Sequence, residues 1–381
     1  MNDAAALALL KDVVKMETVL GREQLVADKL VELFNEHGIP SETVVYSEGR
    51  HQLIVTLKGS HPGPVLGFSG HMDVVPVGEV PWTHGPFEAV EMDGLLHGRG
   101  TCDMKAGLIA QVAALTRLKD EGASFNGTIK LLITVGEETA AIGAGQLTDL
   151  GYADDLDALI IGEPSSLDVV IAHKGALWPQ ITTYGKTSHG SMPQLGINAI
   201  DHMIQVMNQF NKQFDFSLYK DELLGESTAS VNIFQGGNGA NVVPDKCVAT
   251  IDIRTVPGQN HGELKVAIDK LLKKVGEEIP DFKGEVNYVN DLPAIRTEKD
   301  HPFSVLVTKV VKNVANKDPE IKSLTGYTDG SEFGRAKKEF PILIVGPGDV
   351  TLAHQPNENV PIDQFYQMIE VNRQIALEFL K

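Results

Sequence analysis

The sequence predicts an α/β protein, a mostly parallel sheet flanked by helices, carrying an inserted ferredoxin-like α+β domain. Three observations point there. Helical and strand-like segments alternate from the start to about residue 175 and again from about residue 292, an order that implies parallel strands covered by their connecting helices. Between those points the order becomes β-α-β-β-α-β, the split βαβ unit. The chain is also 381 residues long, more than one compact core usually fills. Residues 1–175 and 292–381 are therefore expected to form one discontinuous domain around an insert over 176–291.

The elements follow in order. Leu7, Leu10, Val13 and Val14 recur at helical spacing. Asp3, Lys11 and Asp12 surround this short apolar run and no small-residue cleavage site follows, so it reads as an amphipathic helix rather than a signal peptide. Residues 24–37 read as a helix, 52–57 and 65–68 as strands, and 105–121 as a helix rich in Ala and Leu. The runs 128–135 and 158–161 are strand-like and end on Gly136-Glu137-Glu138 and Gly162-Glu163-Pro164. In the insert, 177–184 is extended, 196–214 helical, and 227–235 and 247–256 extended about a Gly/Asn-rich turn. A helix over 261–275 and a strand over 284–289 complete it; helix 302–314, strand 341–345 and helix 363–380 close the chain.

Composition is ordinary for a globular protein, 42% hydrophobic and 22% charged. A net charge of −18 argues against a nucleic-acid partner, because no basic face could neutralise phosphates. No uncharged apolar run approaches the ~20 residues that span a bilayer, so no membrane partner is expected. Cys102 and Cys247 match no zinc-site spacing and fit a reduced, cytoplasmic protein.

The chemistry gathers where strands end. His71-Met72-Asp73 follows the run 65–68, and Glu137-Glu138 follows 128–135. Ligands collected at strand ends are how α/β sheets build sites. One imidazole with several carboxylates suits a dication such as zinc, manganese or cobalt, so a metallohydrolase is expected. His71 and Asp73 would emerge on one face of extended chain. Asp73 then stands where it can orient the imidazole, although a core histidine capped by a local aspartate has the same pattern.

Asp103 precedes a helix and reads either as its N-cap or, if it turns away, as a carboxylate bridging two cations. Glu137 and Glu138 repel each other unless positive charge is near. Neighbouring residues diverge, so one can ligate while the other serves as general base; a solvated acidic turn is the alternative. Glu163, after the strand 158–161, and His354, in the loop 352–358, complete a set large enough for two metals sharing a bridge.

The ordered runs G-H-M-D-V-V-P, G-R-G-T-C-D-M-K-A-G, G-E-E, G-E-P, G-K-T-S-H-G and A-H-Q-P-N-E strongly resemble the M20 metallopeptidase family, over nearly the whole chain. The resemblance implies a zinc-exopeptidase-like catalytic domain, residues 1–175 with 292–381, and a dinuclear metal-dependent amidohydrolase. It implies that His71 and Glu163 hold one divalent ion, Glu138 and His354 the other, and that Asp103 bridges them. Asp73 would orient His71 and Glu137 would be the general base. Zinc is the expected metal, with manganese and cobalt as alternatives.

In the insert, the resemblance implies that His189 contacts the intermediate, often from the partner subunit of a homodimer. Asn241 and Arg254 match positions that grip a substrate carboxylate, for which an arginine fork is suited; an ion pair with Asp252 is the other reading of Arg254. The insert would act as a lid and dimerisation domain that closes over substrate. Residues 328–333 resemble the substrate loop, with Ser331 where the desuccinylase version commonly has arginine, which leaves the acyl group open. The implied substrate is a small N-acyl amino acid of the acetylornithine/succinyl-diaminopimelate group, in amino-acid biosynthesis. A di- or carboxypeptidase is the second reading, and a non-catalytic binding or dimerisation module that keeps the fold is a third.

Overall fold

A computed structural model describes residues 1–381. The chain forms two compact units: residues 1–172, 295–324 and 328–381, and residues 173–294 with 325–327. No helix is long and apolar enough to cross a membrane.

The first unit begins with α1 (Asp3–Val14), α2 (Gln24–Glu36), β1 (Ser41–Ser47), β2 (Arg50–Lys58) and β3 (His61–His71). The short β4 (Val90–Met92) and β5 (Leu95–His97), then α3 (Lys105–Asp120), β6 (Asn126–Thr134), α4 (Ile142–Asp149), β7 (Ala158–Ile161) and β8 (Val169–His173) follow. The second unit contains β9 (Gly175–Tyr184), α5 (Ala199–Gln213), the two-residue strands β10 (Lys220–Asp221) and β11 (Gly225–Glu226), β12 (Thr228–Gly236), β13 (Lys246–Thr255), α6 (His261–Glu278) and β14 (Lys283–Leu292). The chain then adds β15 (Ile295–Arg296), α7 (Pro302–Ala315), β16 (Ile321–Leu324), α8 (Gly330–Phe333), β17 (Ile342–Ile344), β18 (Asn359–Pro361) and α9 (Ile362–Phe379) to the first unit.

The central sheet runs β1-β2-β6-β3-β7-β17-β8-β15, with β16 beside β8. Its middle is parallel: β6 with β3, β3 with β7, and β7 with β17. Its flanks are not. β1 pairs antiparallel with β2, β2 with β6, and β17 with β8. The reason at the β1 edge is the connection. Only Glu48 and Gly49 separate the two strands, and so short a link can join only antiparallel neighbours.

α3 is buried along nearly its whole length, as its Ala, Leu and Ile content allows. It packs closely on the β7 end, because a Cβ on Gly107 would lie 1.8 Å from the Gly162 carbonyl oxygen. Only glycine permits that approach.

In the second unit, four antiparallel strands in the order β12-β13-β9-β14 carry α5 and α6 on one face. The residues Ala199, Met203, Val206 and Phe210 of α5 recur every three or four positions, and all are buried. They pack with Ile251 and Ile253 of β13 and with Ile268 and Leu271 of α6 in one apolar cluster. Apart from the separate β10–β11 pair, which the sequence reading did not include, the insert follows the expected β-α-β-β-α-β order.

Candidate metal centre

Parallel pairing puts the donors side by side. In the β3–β6 register His71 stands opposite Thr134, and in the β3–β7 register Ser69 stands opposite Ile161. The C-terminal ends of three neighbouring strands thus deliver His71, Glu137-Glu138 and Glu163 to one edge of the sheet. Asp103 arrives on the turn before α3, and His354 on the loop after β17.

The His71 imidazole is wholly buried, and its Nδ1 lies 3.0 Å from the carbonyl oxygen of Asp73. Donation there assigns the tautomer and leaves Nε2 as the free nitrogen. Nε2 stands 3.1 Å from Asp103 Oδ1 and 3.4 Å from Glu163 Oε1. On the other side, His354 Nε2 is 3.3 Å from Asp103 Oδ2 and 2.9 Å from Glu138 Oε1. Asp103 therefore turns one oxygen to each imidazole. The donor atoms of His71, Asp103 and Glu163 all lie within 4.8 Å of one another, as do those of Asp103, Glu138 and His354, and those of His71, Glu137 and Glu138.

Asp103 is not spent on capping. Met104 occupies the N-cap of α3 and makes no side-chain cap bond. The Asp103 carboxylate is engaged with the two imidazoles, and its backbone N–H donates to Glu358 Oε1 at 3.0 Å.

Asp73 meets His71 through its backbone rather than its side chain. Its carboxylate is 3.6 Å from His71 Nδ1, beyond a hydrogen bond. Instead it accepts the backbone N–H groups of Gly136, Glu137 and Glu138 at 2.7, 3.2 and 3.2 Å. The backbone carbonyl of Asp73 holds the imidazole, while its side chain holds the Glu137-Glu138 turn.

Burial and mutual repulsion make this cluster electrostatically unfavourable by itself. Burial, then the charge of Asp103, pushes Glu163 up to about 8. Glu137 lies well above the usual carboxylate range, from burial first and from Glu138, Glu163 and Asp329, against the opposing pull of His71. Glu138 is raised by burial and Asp103. Hydrogen bonds to Asp103 and Glu138 lift His354 to about 10. Protons here answer a demand for positive charge that bound dications would meet instead. The imidazole and carboxylate donors fit zinc, manganese or cobalt, and the arrangement accommodates two divalent ions.

A sequence profile of the peptidase family M20/M25/M40 matches residues 67–378. The chain belongs to that family. It is a metal-dependent hydrolase acting on amide bonds, as the motif resemblance implies. A Staphylococcus epidermidis protein named "Probable succinyl-diaminopimelate desuccinylase" is 34% identical over 100% of this chain and 99% of its own. An acetylornithine deacetylase of Vibrio campbellii is 29% identical over 91% of this chain and 89% of its own. The M20 metallo-carboxypeptidase Sso-CP2 of Sulfolobus solfataricus shares the fold, with a TM-score of 0.81 at 21% identity over 98% of this chain and 99% of that one.

The other residues singled out in this M20 chain lie apart from the donor cluster in sequence and are placed as follows. In the second unit, His189 is exposed, with Nδ1 2.7 Å from Ser191 Oγ. The Gly190 N–H donates to the Asn241 carbonyl at 2.7 Å, so these two loops are neighbours. Arg254 Nε lies 2.9 Å from Asp252 Oδ1, with the guanidinium 6.0 Å from the Trp178 ring centre. The structural ion pair foreseen as its alternative is thus present. Ser331, in the first unit, is only 1% exposed within α8. Arg335 nearby pairs with Glu332 and Asp149.

Sequence reasoning gave no role to Arg99, Lys105, Asp329 or Glu358, all buried. Lys105 Nζ donates to the carbonyls of Val13 and Met16 at 3.0 and 2.9 Å, tying the start of α3 to the end of α1. Asp329 accepts from Thr134 Oγ1 at 2.5 Å and is raised to about 7 by burial. The available signal was position: Arg99 in G-R-G and Lys105 in D-M-K-A-G lie in the same motif run as Asp103.

Proposed function

We propose that this chain cleaves the amide bond of a small N-acyl amino acid of the succinyl-diaminopimelate or acetylornithine type, using two divalent ions, zinc foremost. The observation that carries the reading is Asp103, whose two oxygens face two different imidazoles at 3.1 and 3.3 Å. A carboxylate so placed is suited to bridge a pair of cations. In this reading His71 and Glu163 hold one ion and Glu138 and His354 the other. The names of the two curated relatives support the acyl amino acid class.

Bound dications would supply Lewis acidity, lowering the pKa of water and polarising the scissile carbonyl. The remaining steps fall to the chain. Glu137, not used as a ligand, takes a proton from the attacking water and later gives it to the departing amine. Asp73 fixes Glu137 by holding its backbone N–H.

The inserted unit serves as lid and dimerisation domain, His189 contacts the developing oxyanion, and Asn241 and Arg254 receive a substrate carboxylate. The partner is a second copy of the chain, and buried free thiols at Cys102 and Cys247 fit a cytoplasmic location. A panel of N-acetyl and N-succinyl amino acids and dipeptides, assayed with defined metals, tests the reading. Turnover of the acylated amino acids, abolished by chelator, is expected. Cleavage of dipeptides with the acylated compounds inert would replace it by a dipeptidase. Sedimentation showing a fully active monomer would remove any role for His189 from a partner.

A further inference from the structure

Two buried charges beside the donor cluster take no part in the chemistry above. Arg99 is 1% exposed and Glu358 is wholly buried. Glu358 Oε1 accepts the backbone N–H groups of Cys102 at 2.8 Å and Asp103 at 3.0 Å, while Oε2 accepts from Arg99 Nη1 at 2.6 Å. The guanidinium donates onward to the carbonyls of His354, Gln355 and Pro76, each at 3.3 Å. The Trp82 ring lies 5.1 Å from it. One continuous run of charge-assisted hydrogen bonds thus links the backbone of Asp103 to that of His354.

His354 needs such a hold. Its φ is +63°, in the left-handed region that side-chain-bearing residues occupy at a cost. The segment around it carries only a single 3₁₀ turn, Val350–Leu352, before β18. A buried ion pair is by itself weak evidence of stabilisation. Here, however, the two charges hold the backbones of two ligand residues, Asp103 and His354, that come from loops 251 positions apart in the chain.

We propose that Arg99 and Glu358 form a clamp that sets the spacing of Asp103 and His354 and thereby tunes the ion held by Glu138 and His354. The inference rests on the ligand assignment proposed above. It predicts asymmetry between the two ions. His71 and Glu163 are placed by β3 and β7, whose register is fixed by the sheet. Asp103 faces both sides, whereas His354 serves one side alone and has no such frame, so loss of the clamp weakens the His354 side more than the other.

The test is titration of metal-free protein with Zn2+ by calorimetry and with Co2+ by its visible absorption, comparing wild type, Arg99→Lys and Glu358→Gln. Lysine keeps the charge beside Glu358 but cannot reach the three carbonyls together. Wild type is expected to take two ions. Each variant should bind the ion on the His354 side about 10- to 100-fold more weakly, the usual effect of losing a group that orients a ligand, and the other ion with a smaller loss because Asp103 is shared. The Co2+ spectrum of the ion on the His354 side should change as well. Circular dichroism and melting of the metal-free proteins report the fold. Wild-type affinity for both ions in the variants, or equal weakening of both, would overturn the clamp. So would unfolding of both metal-free variants, which would assign the pair to folding alone. Fewer than two ions in wild type would instead sink the ligand assignment itself.

Discussion

Asp73 acts through two different groups: its carbonyl oxygen aligns an imidazole and its carboxylate gathers three consecutive amides. The motif H-x-D made a bond between the two side chains the natural expectation, since they share a face. Backbone direction at the strand end decides otherwise, and sequence carries no record of it. Glu137 is the residue whose loss should be cleanest. Glu137→Ala is expected to retain both ions, by metal analysis, while kcat falls about 10²- to 10⁴-fold. A near-normal kcat would remove it from the proton transfers. His173 offers a pH signature. It is wholly buried, its Nδ1 lies 2.9 Å from the Lys174 carbonyl oxygen, and burial lowers its pKa to about 4. The unfolded imidazole takes its proton near pH 6.5, the folded one only near 4, so stability is lost as pH falls through that window. The loss reaches roughly 3 kcal/mol by pH 4, at about 1.4 kcal/mol per unit. Denaturation curves at pH 7 and 4.5 should show a smaller difference for His173→Gln than for wild type; equal differences would acquit His173.

The elements that build the site were legible wherever apolar runs were long. β7 and α3 begin where the sequence places them, and β6 lies within two residues of its expected bounds. β1 was missed although Val44, Val45 and Tyr46 favour strands, because its apolar residues stand in a row rather than alternating with polar ones, and most of the strand is exposed. α4 was missed for a different reason: it follows two alanines in left-handed conformation, φ +71° and +51°, and begins with weak helix formers. Asp103 was ambiguous because a carboxylate just before a helix suits both a cap and a ligand, and only the direction of its side chain decides between them. One element contact is testable. Gly107→Ala would drive a methyl against the Gly162 carbonyl, moving α3 off the turn that carries Glu163. Overpacking of this kind costs about 1–3 kcal/mol, so the midpoint of chemical denaturation should fall. An unchanged midpoint would mean that α3 shifts freely, contrary to its close packing.

At the scale of the molecule, carboxylates that would normally repel are gathered at one edge of the first unit. Metal should therefore be part of its stability. Binding to the folded chain alone adds RT ln(1 + [L]/Kd), about 2.7 kcal/mol at a free concentration 100 times Kd. Chelation is expected to lower the melting temperature, and zinc to restore it in a concentration-dependent way. A melting temperature indifferent to chelator would mean that the cluster is content with protons.

By itself the sequence determined the family, the alternation of its longer elements and a set of candidate donors, because ordered motifs and apolar runs are local in the chain. The antiparallel flanks of the sheet, the division of labour within Asp73 and the Arg99–Glu358 link were decided only by tertiary structure. Each depends on which backbone groups remain unpaired once distant segments meet, and a buried amide or carbonyl must find its partner there.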